Sequence, residues 1–300
     1  MDGSDPTERS RHQWSAVSAA WESNRRRLFE LVRPVSERLV EQVGARPGAT
    51  LLELTAGPGE TGFLAAARLG PDGLLISSDF VPAMVDAARR GGEALGLDNV
   101  EYRVLDAQAI DLPDDRVDGV LSRFGMMLLP EPARAVSEVR RVLRPGGAFA
   151  YATWGPPDRN PWLFRVAAAL VEHGHELPGD PFAPGGVFSL ATAEANRDLL
   201  EAGGFTDVAT DEVTGTETYD DLDDYWTFNT SVAGPIAALV DTLDAGELLA
   251  VRASLEASLA GFRHGNVLEL PWAAEVVTAR PGGVLPSDHW PIRAALTLHT

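Results

Sequence analysis

The sequence predicts a three-layer α/β sandwich: a mostly parallel, seven-stranded sheet with helices on both faces, an antiparallel C-terminal hairpin and a helical lid. Three observations predict it. Short apolar runs alternate with helical stretches from Thr50 to Thr153, the pattern of consecutive β-α-β units. A glycine-rich turn, AGPGETG, follows the first run and leads into a helix. Aspartates, Asp79 and Asp106, close the next two runs.

The elements follow in order. From Trp14 to Val43 apolar groups recur at helical spacing (Trp14, Val17, Trp21, then Leu28, Leu31, Val32, Val35, Leu39), with Pro34 expected to separate or kink two helices. Thr50–Thr55 (TLLELT) suits a buried parallel strand. Leu74–Ser78, Val100–Leu105, Val117–Ser122 and Ala148–Thr153 are the next four strands. Between them, Phe63–Leu69, Pro82–Leu95 and Ala133–Leu143 read as helices, the last closed by the RPGG turn. Beyond Trp154 the pattern loosens. Trp162–His173 and Ala193–Ala202 read as helices, Phe205–Thr214 and Val267–Thr278 as the hairpin strands, and Asp220–Phe262 as mainly helical with an interruption at Gly234 and Pro235. The expected organisation is an N-terminal helical cap (1–48), a main domain (49–280) with lid segments at about 155–190 and 219–262, and a C-terminal tail (281–300).

Composition narrows the chemistry. A 300-residue chain that is 45% hydrophobic can build a sizeable core. The first ten residues are polar, and no run approaches the length of a membrane span, so the expectation is a cytoplasmic chain with no membrane span. A net charge of -19 disfavours phosphate backbones, so no nucleic-acid partner is expected. Cysteine is absent, which excludes thiolate metal sites and cysteine nucleophiles. All 25 basic residues are arginine, which excludes Schiff-base chemistry and a Walker A lysine.

The glycine turn carries the most information. Glycine lacks a Cβ, so the backbone can turn tightly and a ligand can approach it closely. GPGETG also fits the dinucleotide pattern GxGxxG, a weak signal alone that is equally compatible with a purely structural turn. Asp79 could hydrogen-bond both ribose hydroxyls of a nucleoside, and Asp106 stands at the neighbouring strand end. Either aspartate alone is also compatible with a helix cap or turn. Three successive strand ends bearing acids and bare backbone point to one shared ligand crevice.

On LLELTAGPGETG, ISSDFVPAMVDAAR, VLDAQAIDLPDDRVDGVLSRFGMMLLP and RRVLRPGG followed by AFAYATW, the chain from Leu51 to Trp154 resembles the class I, Rossmann-like S-adenosylmethionine-dependent methyltransferases. The resemblance is to the branch similar to ubiquinone and menaquinone biosynthesis methyltransferases. It implies S-adenosyl-L-methionine as cofactor and methyl transfer to a small-molecule acceptor at carbon, oxygen or nitrogen. It further implies that Glu53 orients the methionine end and that Thr55, Ala56, Gly57 and Gly59 lie along the amino-acid portion. Asp79 would hold the ribose and Phe80 pack on adenine. Asp106 would accept the adenine amine, with Ala107 beside it, and Ser122 and Arg123 would face the reacting centre. Thr55 stands where the family often has glycine. The residues after the fourth strand, Ser122-Arg123-Phe124-Gly125, lack both a DPPY-like motif and a carboxylate cluster for magnesium.

The catalytic residues are not defined by the sequence. Arg123 could position an anionic acceptor, and His173 and His175 fall in the expected lid, though surface or loop histidines are the simpler reading of both. His12, His264, His289 and His299 are scattered, and no metal site is expected. Trp14, Trp21, Trp154, Trp162, Tyr225, Trp226 and Phe228 would suit a flat aromatic or polyketide-like acceptor or, alternatively, ordinary core packing. Asp220, Asp221, Asp223 and Asp224 read as a solvated helix start. Two other functions fit parts of the pattern: an NAD(P)-dependent oxidoreductase, which Glu60 at the helix start disfavours, and a methyltransferase-like binding protein without turnover. The methyltransferase reading needs Glu53, Asp79 and Asp106 to converge on one cavity.

Overall fold

The computed structural model describes residues 6–177 and 179–282. Three helices come first: α1 (Pro6–Ser23), α2 (Arg25–Leu31) and α3 (Arg33–Gln42). The breaks fall at Asn24 and Val32 rather than at Pro34. Pro34 sits in the first turn of α3, where an amide has no intrahelical partner to lose.

The predicted alternation follows as β1 (Thr50–Glu53), α4 (Glu60–Leu69), β2 (Leu74–Asp79), α5 (Pro82–Ala94), β3 (Val100–Val104), β4 (Val117–Arg123), α6 (Pro132–Val142) and β5 (Leu143–Trp154). The second half contributes α7 (Pro161–Glu172), α8 (Ala193–Ala202), β6 (Phe205–Tyr219), α9 (Leu222–Val232), α10 (Gly234–Val240), α11 (Ala245–Leu259), β7 (Arg263–His264) and β8 (Val267–Pro281). The sheet order is β3-β2-β1-β4-β5-β8-β6. The first five strands pair in parallel, and β8 runs antiparallel between β5 and β6. These are the seven expected strands; the two-residue β7 turns back onto β8 as an eighth.

Three details differ from the sequence expectation. The RPGG segment lies within β5, at the point where its register with β4 shifts, instead of forming a separate turn. Both strands of the C-terminal pair run on past the expected ends, and α9, α10 and α11 connect them. The strand β8 continues to Pro281, into the segment assigned to the tail; residues 283–300, with His289 and His299, lie outside the described residues.

The core is the sandwich's two interlayers. Leu51, Leu52, Leu75, Ile76, Val120, Leu121, Phe149 and Ala150 are completely buried along the central strands. Fully burying such a side chain stabilises the fold by about 1.5–3 kcal/mol. Helix α3 covers one face with Val35, Leu39 and Val40, and α6 covers the other with Ala135, Val136 and Val139. The chain reverses its winding between β1 and β4, and the crevice outside the C-terminal ends of these strands is where α/β sheets place ligands.

The N-terminal helices and the second half are tied together by Arg27. Its guanidinium donates to Asp224 Oδ1 and Oδ2 (2.6 and 2.9 Å) and to Glu217 Oε1 (3.2 Å), and it lies over the rings of Phe228 and Tyr219. The acidic run at the start of α9 is therefore more than a solvated helix start. Asp221 caps α9 by accepting from the Asp224 amide, Asp224 pairs with Arg27, and Asp223 pairs with Arg252. Among the described residues, no helix is long and apolar enough to cross a membrane.

Candidate active site

The turn between β1 and α4 is built by hydrogen bonds that consume its own amides. The Ala56 amide donates to Ser78 O, Gly57 to Asp79 Oδ2, Gly59 to Ala56 O and Gly62 to Glu53 Oε1, all within 2.8–3.0 Å. Gly59 holds φ 92°, and a Cβ there would meet the Phe63 ring at 2.6 Å. A Cβ on Gly62 would overlap the Glu53 carboxylate, so that glycine is what lets Glu53 turn back under the helix start.

These bonds place three acids around one cleft. It has an empty volume of about 940 Å³ counted out to its open mouth, and Glu53, Asp79 and Asp106 all line it. Thr55, Ala56, Gly57, Phe80, Ala107 and Arg123 line it as well. The convergence that the sequence reading required is present.

Each acid is held differently. Glu53 is 2% exposed; besides the Gly62 amide it accepts from Ser77 Oγ (3.0 Å), and burial pushes its carboxyl up to about 8. Asp79 accepts from the Gly57 amide and, through Oδ1, from the Val81 amide (2.9 Å). Burial outweighs these bonds and raises Asp79 to about 6. Each of its oxygens keeps a further lone pair for a ligand hydroxyl. Asp106 Oδ1 accepts from the Gln108 amide (2.8 Å) and Nε2 (3.3 Å), which aligns it at the rim beyond β3. The aromatic wall is Phe80, whose ring lies 5.7 Å from the Arg11 guanidinium carbon.

Arg123 ends β4 and is the one basic side chain among the described residues lining the cleft. Its Nη1 is shut off from solvent and has no hydrogen-bond partner. Burial lowers its pKa against the opposing pull of Glu60 and Glu53.

Several predicted residues lie elsewhere. Ser122 is completely buried beneath the cleft and shares a hydrogen bond with Thr55 Oγ1 (2.8 Å). Gly59 shapes the turn without lining the cavity. His173 is exposed at the end of α7 against Ser254 Oγ (2.9 Å), and neither it nor His175 reaches the cleft. Trp154, Trp162, Tyr225, Trp226 and Phe228 are buried packing residues. Trp154, for example, stacks on Phe124 at 3.8 Å with planes 8° apart. Among the described residues, none from the segments 155–190 or 219–262 lines the cleft.

The wall on that side is α1. Thr7, Ser10, Trp14 and Trp21 face the cavity from one stripe of the helix, at a spacing close to whole turns. Trp21 Nε1 donates to Val232 O (2.8 Å), and Glu22 pairs with Arg90 of α5, so the C-terminal end of α1 is pinned to α9 and α5. The sequence signal was the Trp14–Trp21 repeat; Thr7 and Ser10 continue it but are polar, so periodicity of apolar residues passes over them. Thr61, Met84, Leu105, Gln108, Phe124, Gly125 and Leu128–Pro130 complete the lining.

The family description "Methyltransferase domain" matches residues 51–147, which include every acid of the cleft. The chain is 30% identical over 164 residues to the demethylmenaquinone methyltransferase of Thermus thermophilus, covering 52% of this chain and 74% of that one. It is 31% identical over 196 residues to the nocamycin O-methyltransferase of Saccharothrix syringae, covering 60% and 67%. Of other curated relatives it spans less: 27% of the Halobacterium salinarum arsenite methyltransferase and 44% of a Mycobacterium tuberculosis protein. The Bacillus subtilis YcgJ protein shares the fold with a TM-score of 0.55 at 17% identity, over 83% of this chain and 99% of that one. With this cleft at the switch of the sheet and these relatives, the chain belongs to the class I S-adenosylmethionine-dependent methyltransferases.

Proposed function

We propose that this protein transfers the methyl group of S-adenosylmethionine to a small-molecule acceptor. The observation that carries the reading is the single cleft shared by Glu53, Asp79 and Asp106 at three adjacent strand ends. Its residues fit the cofactor: Asp79 retains lone pairs for the ribose hydroxyls, Phe80 offers a ring face to adenine, and Asp106 accepts from the adenine amine. Ala56 and Gly57 leave room for the amino-acid portion along the turn. When bound, the cofactor supplies a methyl group already activated on a sulfonium. The chain's own work is then alignment and exclusion of water. The helix α1, with Trp14 and Trp21, provides the exclusion, and together with Phe124 it lines the mouth with aromatic surface suited to a flat acceptor, aromatic or polyketide-like.

The acceptor atom is carbon, oxygen or nitrogen; no histidine lines the cleft among the described residues, so the reading favours an acceptor that needs little help in losing its proton. The test is methyl transfer from S-[methyl-³H]adenosylmethionine to a panel of phenolic, enolic and amine acceptors. Labelled product from at least one acceptor class is expected. Absence of transfer to every class, with cofactor bound, would instead favour a binding protein of the same fold.

A further inference from the structure

The cleft contains a buried donor that the protein itself leaves without an acceptor. Arg123 Nη1 is closed to solvent and makes no hydrogen bond, while the cleft's other charged groups are carboxylates. A guanidinium nitrogen cut off from water and without an acceptor is costly, and an anionic ligand removes that cost by a charge-assisted bond.

The position of Arg123 identifies which anion. The acids whose charges act on it are Glu60 and Glu53, at the start of α4 and the end of β1, on either side of the glycine turn. The groups suited to ribose and adenine, Asp79, Phe80 and Asp106, line the β2 and β3 side of the sheet. Along the turn, the amides of Ala56, Gly57, Gly59 and Gly62 are already donated to Ser78, Asp79, Ala56 and Glu53, and Pro58 has none. The turn therefore offers little to an anion at this end of the cleft, and the free donor is a side chain from the neighbouring strand.

We propose that Arg123 is the receptor for the α-carboxylate of the cofactor's methionyl portion. This rests on the S-adenosylmethionine reading above. Arg123 is thus a binding and positioning residue for the cofactor, and the carboxylate of the acceptor, if it has one, is not its partner. With the carboxylate held there, the methionyl chain runs along the turn and the adenosyl end reaches Asp79 and Asp106.

The test is a ligand-truncation cycle by isothermal titration calorimetry. The probes are S-adenosylhomocysteine and its decarboxylated analogue S-adenosyl-3-thiopropylamine, and the proteins are wild type, Arg123→Gln and Arg123→Lys. Wild type is expected to bind S-adenosylhomocysteine roughly 10- to 100-fold more tightly than the decarboxylated analogue, the worth of a charge-assisted bond. Arg123→Gln should lose most of that preference while binding the analogue as wild type does, and Arg123→Lys should recover part of it. Equal weakening of both probes in Arg123→Gln and Arg123→Lys, or an unchanged preference for S-adenosylhomocysteine, would overturn the proposal. Failure of wild type to bind either probe would overturn the cofactor reading itself, and the assignment of Arg123 with it.

Discussion

Thr55 and Gly125 compete for one volume: a Cβ on Gly125 would overlap the Thr55 hydroxyl oxygen. Thr55 holds φ 53°, a left-handed backbone that a β-branched residue adopts only under constraint. Its hydroxyl donates to Leu54 O (2.6 Å) and lies 2.8 Å from Ser122 Oγ, which turns the side chain toward the end of β4. The side chain that Thr55 carries is thus exchanged for the absence of one at Gly125.

That exchange can be measured. Gly125→Ala should destabilise the protein by about 1–3 kcal/mol through overpacking. In a Thr55→Gly background the same substitution should cost at least about 1 kcal/mol less, because its obstacle is gone. A double-mutant cycle by urea unfolding reads the coupling; strictly additive costs would show that the two residues do not share space.

The buried Glu53 makes stability depend on pH. Its carboxyl titrates at about 8 in the fold against an ordinary value of 4.5, so the folded chain holds a proton that the unfolded chain releases. Stability contributed in this way is present at low pH, falls as pH rises from 4.5 to 8, and is level above that. Asp79, raised from 3.8 to about 6, acts with the same sign over its own lower window. Glu53→Gln keeps an acceptor for the Gly62 amide and removes the charge. Calorimetry should find its Tm about 3–8 °C above wild type at pH 9 and nearly equal at pH 4.5. An equal shift at both pH values would point to packing instead.

Trp21 joins α1 to the end of α9 through its indole N–H. Trp21→Phe keeps the aromatic wall and removes that bond, at a cost of about 0.5–1.5 kcal/mol. The effect should be local: faster amide hydrogen exchange in α1, with the β1 and β4 amides unchanged. Unchanged exchange in α1 would mean that the Arg90–Glu22 pair and apolar packing hold the helix without it.

Arg27 balances two acids from different elements, Glu217 on β6 and Asp224 on α9. Arg27→Met preserves much of the stem packing but strands Glu217, whose carboxyl burial already pushes up. With solvent screening at this partly exposed site, the expected loss is about 1–3 kcal/mol in chemical denaturation. Adding Glu217→Gln should return part of it, and no recovery would assign the loss to the cation–ring contacts with Phe228 and Tyr219.

Local chemistry made the first half of the fold legible. The TLLELT run, the glycine turn and the aspartates at successive strand ends each obey rules that act within a few residues, and Glu53, Thr55, Ala56, Gly57, Asp79 and Asp106 among them line the cleft. What could not be read was set by long-range packing. Nothing local says that Thr7 and Ser10 face a cavity built by the strand ends between Glu53 and Arg123, or that Trp154 buries itself against Phe124. The same holds for Ser122, whose alternation on β4 puts it beneath Thr55 and its neighbour Arg123 in the cleft. The histidines of the 173–175 segment follow the end of α7 away from the site, a direction fixed by how that helix docks on α11.

The central claim is that the three acids form one adenosyl-binding cleft, and calorimetric titration tests it most directly. Wild type should bind S-adenosylhomocysteine and not NAD, and Asp79→Ala should weaken that binding by roughly 10- to 100-fold, as expected for losing hydrogen bonds to a carboxylate. Binding of NAD in preference to S-adenosylhomocysteine, or an affinity untouched by Asp79→Ala, would contradict it.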